Sequence, residues 1–178
     1  GRLGAVAVVV HPGEVPVDKR LEARLRALYE GGEADASTYR DLYAEYIAQR
    51  ARIAPPHLDA VRRSLIECAK VAERTGIRLG LENRDHYYEI PVPEEMGELL
   101  RLAPEQIGYW HDVGHAQKLE HLGFYSQREW LTRFADRMIG VHLHDIDGLT
   151  DHIAPGLGSV DWPLVSRFIP PTAIRTFE

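Results

Sequence analysis

The chain has 178 residues, enough for one domain with a sizeable core, and its 44% hydrophobic and 27% charged content is that of a folded globular protein. A net charge of −6 disfavours a nucleic-acid partner, and no apolar run is long enough to span a membrane. The single cysteine, Cys68, excludes an intrachain disulfide and fits a reducing compartment, so the expected setting is cytoplasmic.

Residues 1–10, GRLGAVAVVV, are too short an apolar run for a signal peptide, and His11-Pro12-Gly13 follows where a small-residue cleavage site would stand. The stretch reads instead as a strand over Ala5–Val10, with His11 held extended at its end by Pro12. Leu21, Leu25 and Leu28 recur at helical spacing and predict a helix over Val17–Tyr29, ended by Gly31-Gly32. A second helix is predicted from Ser37 or Thr38 to about Arg52, its tyrosine stripe (Tyr39, Tyr43, Tyr46) reading as core packing. Pro55-Pro56 predicts a break, with a third helix from Pro56 to about Arg74. Its expected apolar stripe is Leu58, Val61, Leu65, Ile66, Cys68, Ala69 and Ala72, which makes Cys68 a core residue and not a nucleophile.

The second half alternates more quickly. Strands are predicted at Ile77–Leu81, Ile107–Trp110, residues 138–144 and Ala173–Phe177, and helices at Met96–Leu102, Trp130–Arg137 and Asp161–Phe168. The most informative stretch is IGVHLHD, residues 139–145: an apolar run that leads into His142, Leu143, His144 and Asp145. Side chains alternate along a strand, so His142 and His144 share a face. Such groups are costly to bury without partners, which a divalent metal or a polar substrate supplies. The glycine-bearing loop 146–158 is expected to cover the site as a flexible flap, with Asp145 bonding a histidine or that loop.

Strands separated by helices predict a parallel sheet. Each of the five strands ends in a potential ligand: His11, Glu82, Asp112, His142 and Glu178. An open sheet would spread these over strand widths of about 4.8 Å each, whereas a barrel brings strand ends together at one mouth. Five strands do not close an eight-stranded barrel. The expectation is therefore α/β: a (β/α)8 TIM barrel of which residues 1–178 carry about five βα units, strands 4 to 8, as a single incomplete domain.

The motifs HPG at 11–13, LEN at 81–83, DVGHA at 112–116, HLHD at 142–145, DHIAPGLGSVDW at 151–162 and FE at 177–178 stand in an order that resembles the xylose isomerase-like TIM-barrel superfamily. That group includes sugar-phosphate isomerases and epimerases and endonuclease IV. The resemblance implies a divalent-metal-dependent isomerase or epimerase that acts on a small sugar by proton transfer through an ene-diolate. It implies one metal held by Glu82, Asp112, His142 and Glu178, with Glu82 and Glu178 also moving the proton. Carboxylate oxygens with one imidazole suit Mn²⁺, Mg²⁺ or Co²⁺, and Zn²⁺ fits too. His115 is expected to orient substrate, Arg84 to reach an anionic or hydroxyl group, and His144 to line the pocket without binding the first metal.

Two other readings stay open. A multi-zinc AP endonuclease is supported by His11, His115 and His152 at its extra ligand positions, although Thr150 stands where that family's Asp-x-His pair has its aspartate. A non-catalytic binding protein on the same fold is the third.

Overall fold

The computed structural model describes residues 4–178. In chain order, strands β1 (Ala7–Val10) and β2 (Gly13–Glu14) precede helices α1 (Lys19–Glu30) and α2 (Ser37–Thr75). Next come β3 (Arg78–Glu82), β4 (Glu89–Ile90), α3 (Pro93–Leu99), β5 (Ile107–Asp112), α4 (Val113–His121) and α5 (Gln127–Phe134). A 3₁₀ turn, Ala135–Arg137, leads into β6 (Met138–Leu143), a hairpin of β7 (Asp145–Asp147) and β8 (Thr150–Ile153), α6 (Trp162–Phe168) and β9 (Ile174–Phe177). Residues 1–3 lie outside the described residues. No helix among the described residues is long and apolar enough to cross a membrane.

The main sheet has the order β1-β3-β5-β6-β9, and every neighbouring pair is parallel. Spatial order thus follows chain order without reversal. A doubly wound sheet reverses direction at its switch point, whereas a barrel is wound one way. The sheet is a partial (β/α) barrel. β5 and β6 are buried along their whole length. The outer strands are open to solvent, with Val8 47% and Phe177 70% exposed.

The predicted break at Pro55-Pro56 is absent: α2 runs unbroken through both prolines. Its buried positions, Tyr39, Leu42, Tyr46, Arg50, Ala54, Leu58, Val61, Leu65, Ala69 and Ala72, keep one helical stripe across them. Both prolines face solvent, as do Ala51 and Arg52, whose carbonyls lose their helical donors, so water can hydrate those oxygens. A helix-interior proline costs about 3 kcal/mol, and each fully buried large side chain returns about 1.5–3 kcal/mol. Packing prevails. The same stripe corrects the expectation for Cys68 and Ile66. Both lie on the flank of the helix and are exposed, because the buried line steps from Leu65 to Ala69.

The tyrosines do pack inward, with their hydroxyls satisfied. Tyr39 donates to Leu122 O (3.0 Å), Tyr43 to Gly123 O (2.7 Å) and Tyr46 to Glu22 Oε2 (2.6 Å). α2 is tied to α3 by a buried bidentate pair, Arg50 Nη1 and Nη2 each 2.8 Å from an oxygen of Glu95. α4 was not foreseen. It starts at the end of β5, where the Asp112 side chain caps it by accepting from His115 N.

Side-chain alternation places Gly80, Trp110 and Gly140 on the same sheet face as Glu82, Asp112 and His142. The Trp110 ring lies across both glycines. A Cβ at Gly140 would come 2.2 Å from Trp110 Cζ3, and one at Gly80 2.8 Å from Cε3. The indole meets the His142 ring edge-on at 5.2 Å and forms the floor beneath the strand-end cluster.

Candidate metal centre

Four of the five predicted strand-end residues converge. Glu82 ends β3, Asp112 ends β5, His142 lies near the end of β6, and Glu178 follows β9. His142 Nδ1 is 2.7 Å from Glu82 Oε1, 3.4 Å from Asp112 Oδ2 and 3.3 Å from Glu178 Oε1. Glu82 and Asp112 are buried, at 1% and 0% exposure. Glu82, Asp112 and His142 each offer a donor atom within 4.8 Å of the others.

Three carboxylates around one imidazole set the electrostatics. Burial by itself lowers the His142 pKa, but its pairing with Asp112 and Glu82 and the charges of Glu82 and Glu178 prevail and push it up to about 9. Burial works to raise Glu82, yet its hydrogen bond with His142 leaves it below the usual carboxylate range. Asp112 is likewise held well down, against burial, by the charge of His115, by its charge pairing with His142 and by its hydrogen bond with His144. An imidazolium is thus the natural counter-charge here, and a divalent cation is a stronger one.

Asp112 shows why a cation fits. Its Oδ1 accepts from His115 N (2.7 Å) and lies 2.9 Å from His144 Nε2, while its Oδ2 is buried without a hydrogen bond. A buried, unsatisfied carboxylate oxygen beside a second carboxylate and an imidazole is what a metal ligand looks like before the ion is added.

The remaining predicted residues surround this core. His11 and Arg84 both reach Glu82 Oε2, Arg84 Nη1 at 2.5 Å, and Arg84 Nε lies 3.2 Å from Glu89 Oε1. Arg84 is therefore shared by two carboxylates. His115 packs near His144 and His152, with ring centroids 5.9 and 6.4 Å away. His144 is fully buried, and both its nitrogens are engaged: Nδ1 accepts from His152 N (2.9 Å), and Nε2 faces Asp112. The His152 ring stacks on His144 at 4.4 Å, and its Nε2 is 3.4 Å from Glu178 Oε2. His152 adopts φ 59°, a left-handed conformation uncommon outside glycine and carried at a modest energetic cost. Gly114 makes room for this pair, since a Cβ there would come 2.1 Å from His144 Cε1.

Residues 1–172 match the sequence pattern of the family described as xylose isomerase-like TIM barrel. The chain belongs to that family. A relative, the uncharacterized protein MJ1311 of Methanocaldococcus jannaschii, is 25% identical over 164 residues, which cover 90% of this chain and 45% of that protein. The uncharacterized protein y4fM of Sinorhizobium fredii is 32% identical over 77 residues, 43% of this chain and 24% of its own length. The chain spans less than half the length of these two relatives. Among solved structures, a D-tagatose 3-epimerase-like protein superposes with a TM-score of 0.53 at 22% identity, covering 97% of this chain and 55% of that one. The 3-keto-D-glucoside 4-epimerase YcjR of E. coli gives 0.52 at 19% identity, covering 90% and 62%. These likenesses show the fold.

Around this cluster, several residues are not evident from the sequence. Asn83 is fully buried; its Oδ1 accepts from Asp112 N and from Tyr109 OH, each at 2.9 Å, and its Nδ2 donates to Asp112 O at 2.9 Å. It fixes the backbone that carries the aspartate. Tyr109 OH also meets His111 Nδ1 at 2.6 Å, and burial pushes His111 down to about 4, so it stays neutral. A buried amide directly after a strand-end glutamate was the available signal.

The segment expected as a flap contains the β7–β8 hairpin and is anchored at its base by Asp145. That carboxylate is fully buried and accepts from Ile146 N (2.9 Å), Val160 N (3.0 Å), Gly156 N (2.8 Å) and Trp162 Nε1 (2.8 Å). Burial works to raise its pKa, but the Trp162 and backbone donors hold it well below the usual range. A depressed carboxylate contributes stability that is present above its unfolded pKa, about 3.9, and is lost as pH falls. Asp145→Ala leaves these donors unpaired and is expected to cost about 3 kcal/mol or more in urea unfolding at pH 7. It should also flatten the acid limb of the stability curve. A loss below about 0.5 kcal/mol would remove Asp145 from this role.

Proposed function

We propose that this chain carries the metal centre of a divalent-metal-dependent isomerase or epimerase acting on a small sugar. The observation that supports the reading most strongly is the grouping of Glu82, Asp112 and His142 donors within 4.8 Å of one another, with Glu178 Oε1 3.3 Å from His142 Nδ1 and Asp112 Oδ2 left without a hydrogen bond. Glu82, Asp112, His142 and Glu178 are the residues that would hold the ion. Mn²⁺, Mg²⁺ or Co²⁺ suits three carboxylates and one imidazole, and Zn²⁺ is compatible. The IOLI protein, solved with a bound zinc atom, superposes on 99% of this chain with a TM-score of 0.50 at 15% identity. A bound cation polarises the oxygens of a hydroxyketone and so acidifies the adjacent C–H.

The protein's own residues then move the proton. Glu82 is ionised and aimed into the cluster, its second oxygen steadied by Arg84 and His11. Glu178 lies on the far side of His142, 33% exposed and therefore accessible to substrate. One glutamate removes the proton from carbon and one carboxyl returns it. Return to the neighbouring carbon gives the isomer; return to the opposite face gives the epimer. His115 and His152 line the mouth and are suited to bond sugar hydroxyls.

A multi-zinc endonuclease is the rival, because Asp112, His115 and His144 form a second donor group, as do His144, His152 and Glu178. Both groups rely on His144, whose two nitrogens are already engaged. One ion per chain is expected in metal analysis of protein purified without chelator. Asp112→Asn should lower that occupancy at least about tenfold, because it removes a charged ligand. Two or three zinc ions per chain, with cleavage of abasic DNA, would hand the assignment to the endonuclease.

A further inference from the structure

Lys118 is a buried lysine that the proposed chemistry does not use. It is 5% exposed, on α4 one turn after His115. Its Nζ lies 3.0 Å from Asp85 Oδ2 and 2.5 Å from Asp151 Oδ2. Asp85 belongs to the loop after β3, next to Arg84, and Asp151 belongs to β8, next to His152. One ammonium thus joins three segments, each of which contributes a side chain to the mouth of the site. The hairpin has one more tie to α4, His121 Nδ1 to Gly148 O at 2.7 Å.

We propose that Lys118 is a positioning residue that latches the β7–β8 hairpin over the metal centre and thereby holds His152 against His144 and Glu178. Sharing makes the latch reversible. A buried ammonium that loses its sole partner costs several kcal/mol, so a simple Lys–Asp pair would hold the hairpin almost permanently. Here Asp85 keeps the lysine when Asp151 leaves. Asp151 is carried out to solvent, where its charge is hydrated. The four hydrogen bonds of Asp145 meanwhile keep the hairpin's base in place, so motion is confined to its outer part. The strained backbone of His152 (φ 59°) is then relieved in the open form and restored on closure. The inference concerns the hairpin of the metal-free protein and stands apart from the reaction proposed above.

Amide hydrogen exchange over residues 145–158, in the presence of EDTA, tests it. Asp151→Asn should raise exchange of the outer hairpin about tenfold or more while β5 and β6 stay protected. Asp85→Asn should do the reverse, leaving Asp151 as the lysine's one carboxylate and the hairpin as protected as wild type or more so. Lys118→Met should behave like Asp151→Asn, and Lys118→Arg should restore protection. If Lys118→Met fails to fold, the opposed aspartate variants still decide. Wild-type exchange in Asp151→Asn, or equal loosening by the two aspartate variants, would overturn the proposal.

Discussion

Glu178→Gln is expected to abolish exchange of a sugar's carbon-bound hydrogen with solvent deuterium, by about 10²–10⁴-fold, the contribution of a well-placed acid–base group. The substitution keeps size and leaves an oxygen donor, and Glu178 is the most exposed member of the set, so metal content should fall less than in Asp112→Asn. It removes the basic carboxylate whose Oε1 lies 3.3 Å from His142 Nδ1 and whose Oε2 lies 3.4 Å from His152 Nε2. Glu82→Gln is a less clean experiment, because Glu82 is buried and also neutralises Arg84 and His11. The measurement is proton NMR in D2O over a panel of ketoses, with metal content determined on the same samples. Wild-type washout in Glu178→Gln would exclude Glu178 as the proton carrier and leave the metal set intact.

Gly140→Ala is the second large effect expected, this time on stability. The added methyl would lie 2.2 to 2.5 Å from three atoms of the Trp110 ring. β6 is central and wholly buried, so the strand cannot shift away, and the indole is backed by Gly80 on its other neighbour. Overpacking costs about 1–3 kcal/mol in ordinary cores, and this contact belongs at or above the upper end. Urea unfolding should show it. Because the ring also touches His142, metal affinity should fall in parallel. Trp110→Leu combined with Gly140→Ala should recover part of the loss. A change within about 0.5 kcal/mol for the single variant would mean that the indole has another place to go.

What could be seen in the sequence was the part of the fold set by short-range pattern. Apolar runs ending in Glu82, Asp112 and His142 mark buried parallel strands, and their polar ends mark the mouth. What escaped depends on contacts distant in sequence. The unbroken α2 follows from a packing stripe that outweighs two prolines, which no local rule registers. α4 was hidden because DVGHA reads as a strand end, although Asp112 and His115 have the spacing of a helix cap. Lys118 resembles any helix lysine until Asp85 and Asp151 meet it, each thirty-three residues away. The role of Asn83 likewise appears only when β5 lies beside β3.

Each donor of the cluster comes from a separate strand, and Glu82, Asp112 and His142 are spaced thirty residues apart. In the unfolded chain such distant groups form no chelate, since closing loops of that length is entropically unfavourable before any bond to the ion forms. An ion held by this cluster would therefore distinguish folded from unfolded chains almost completely. By mass action its free energy of binding becomes folding free energy, about 2.7 kcal/mol at a hundredfold excess over Kd. A metal bound there would then set how much of this protein persists folded.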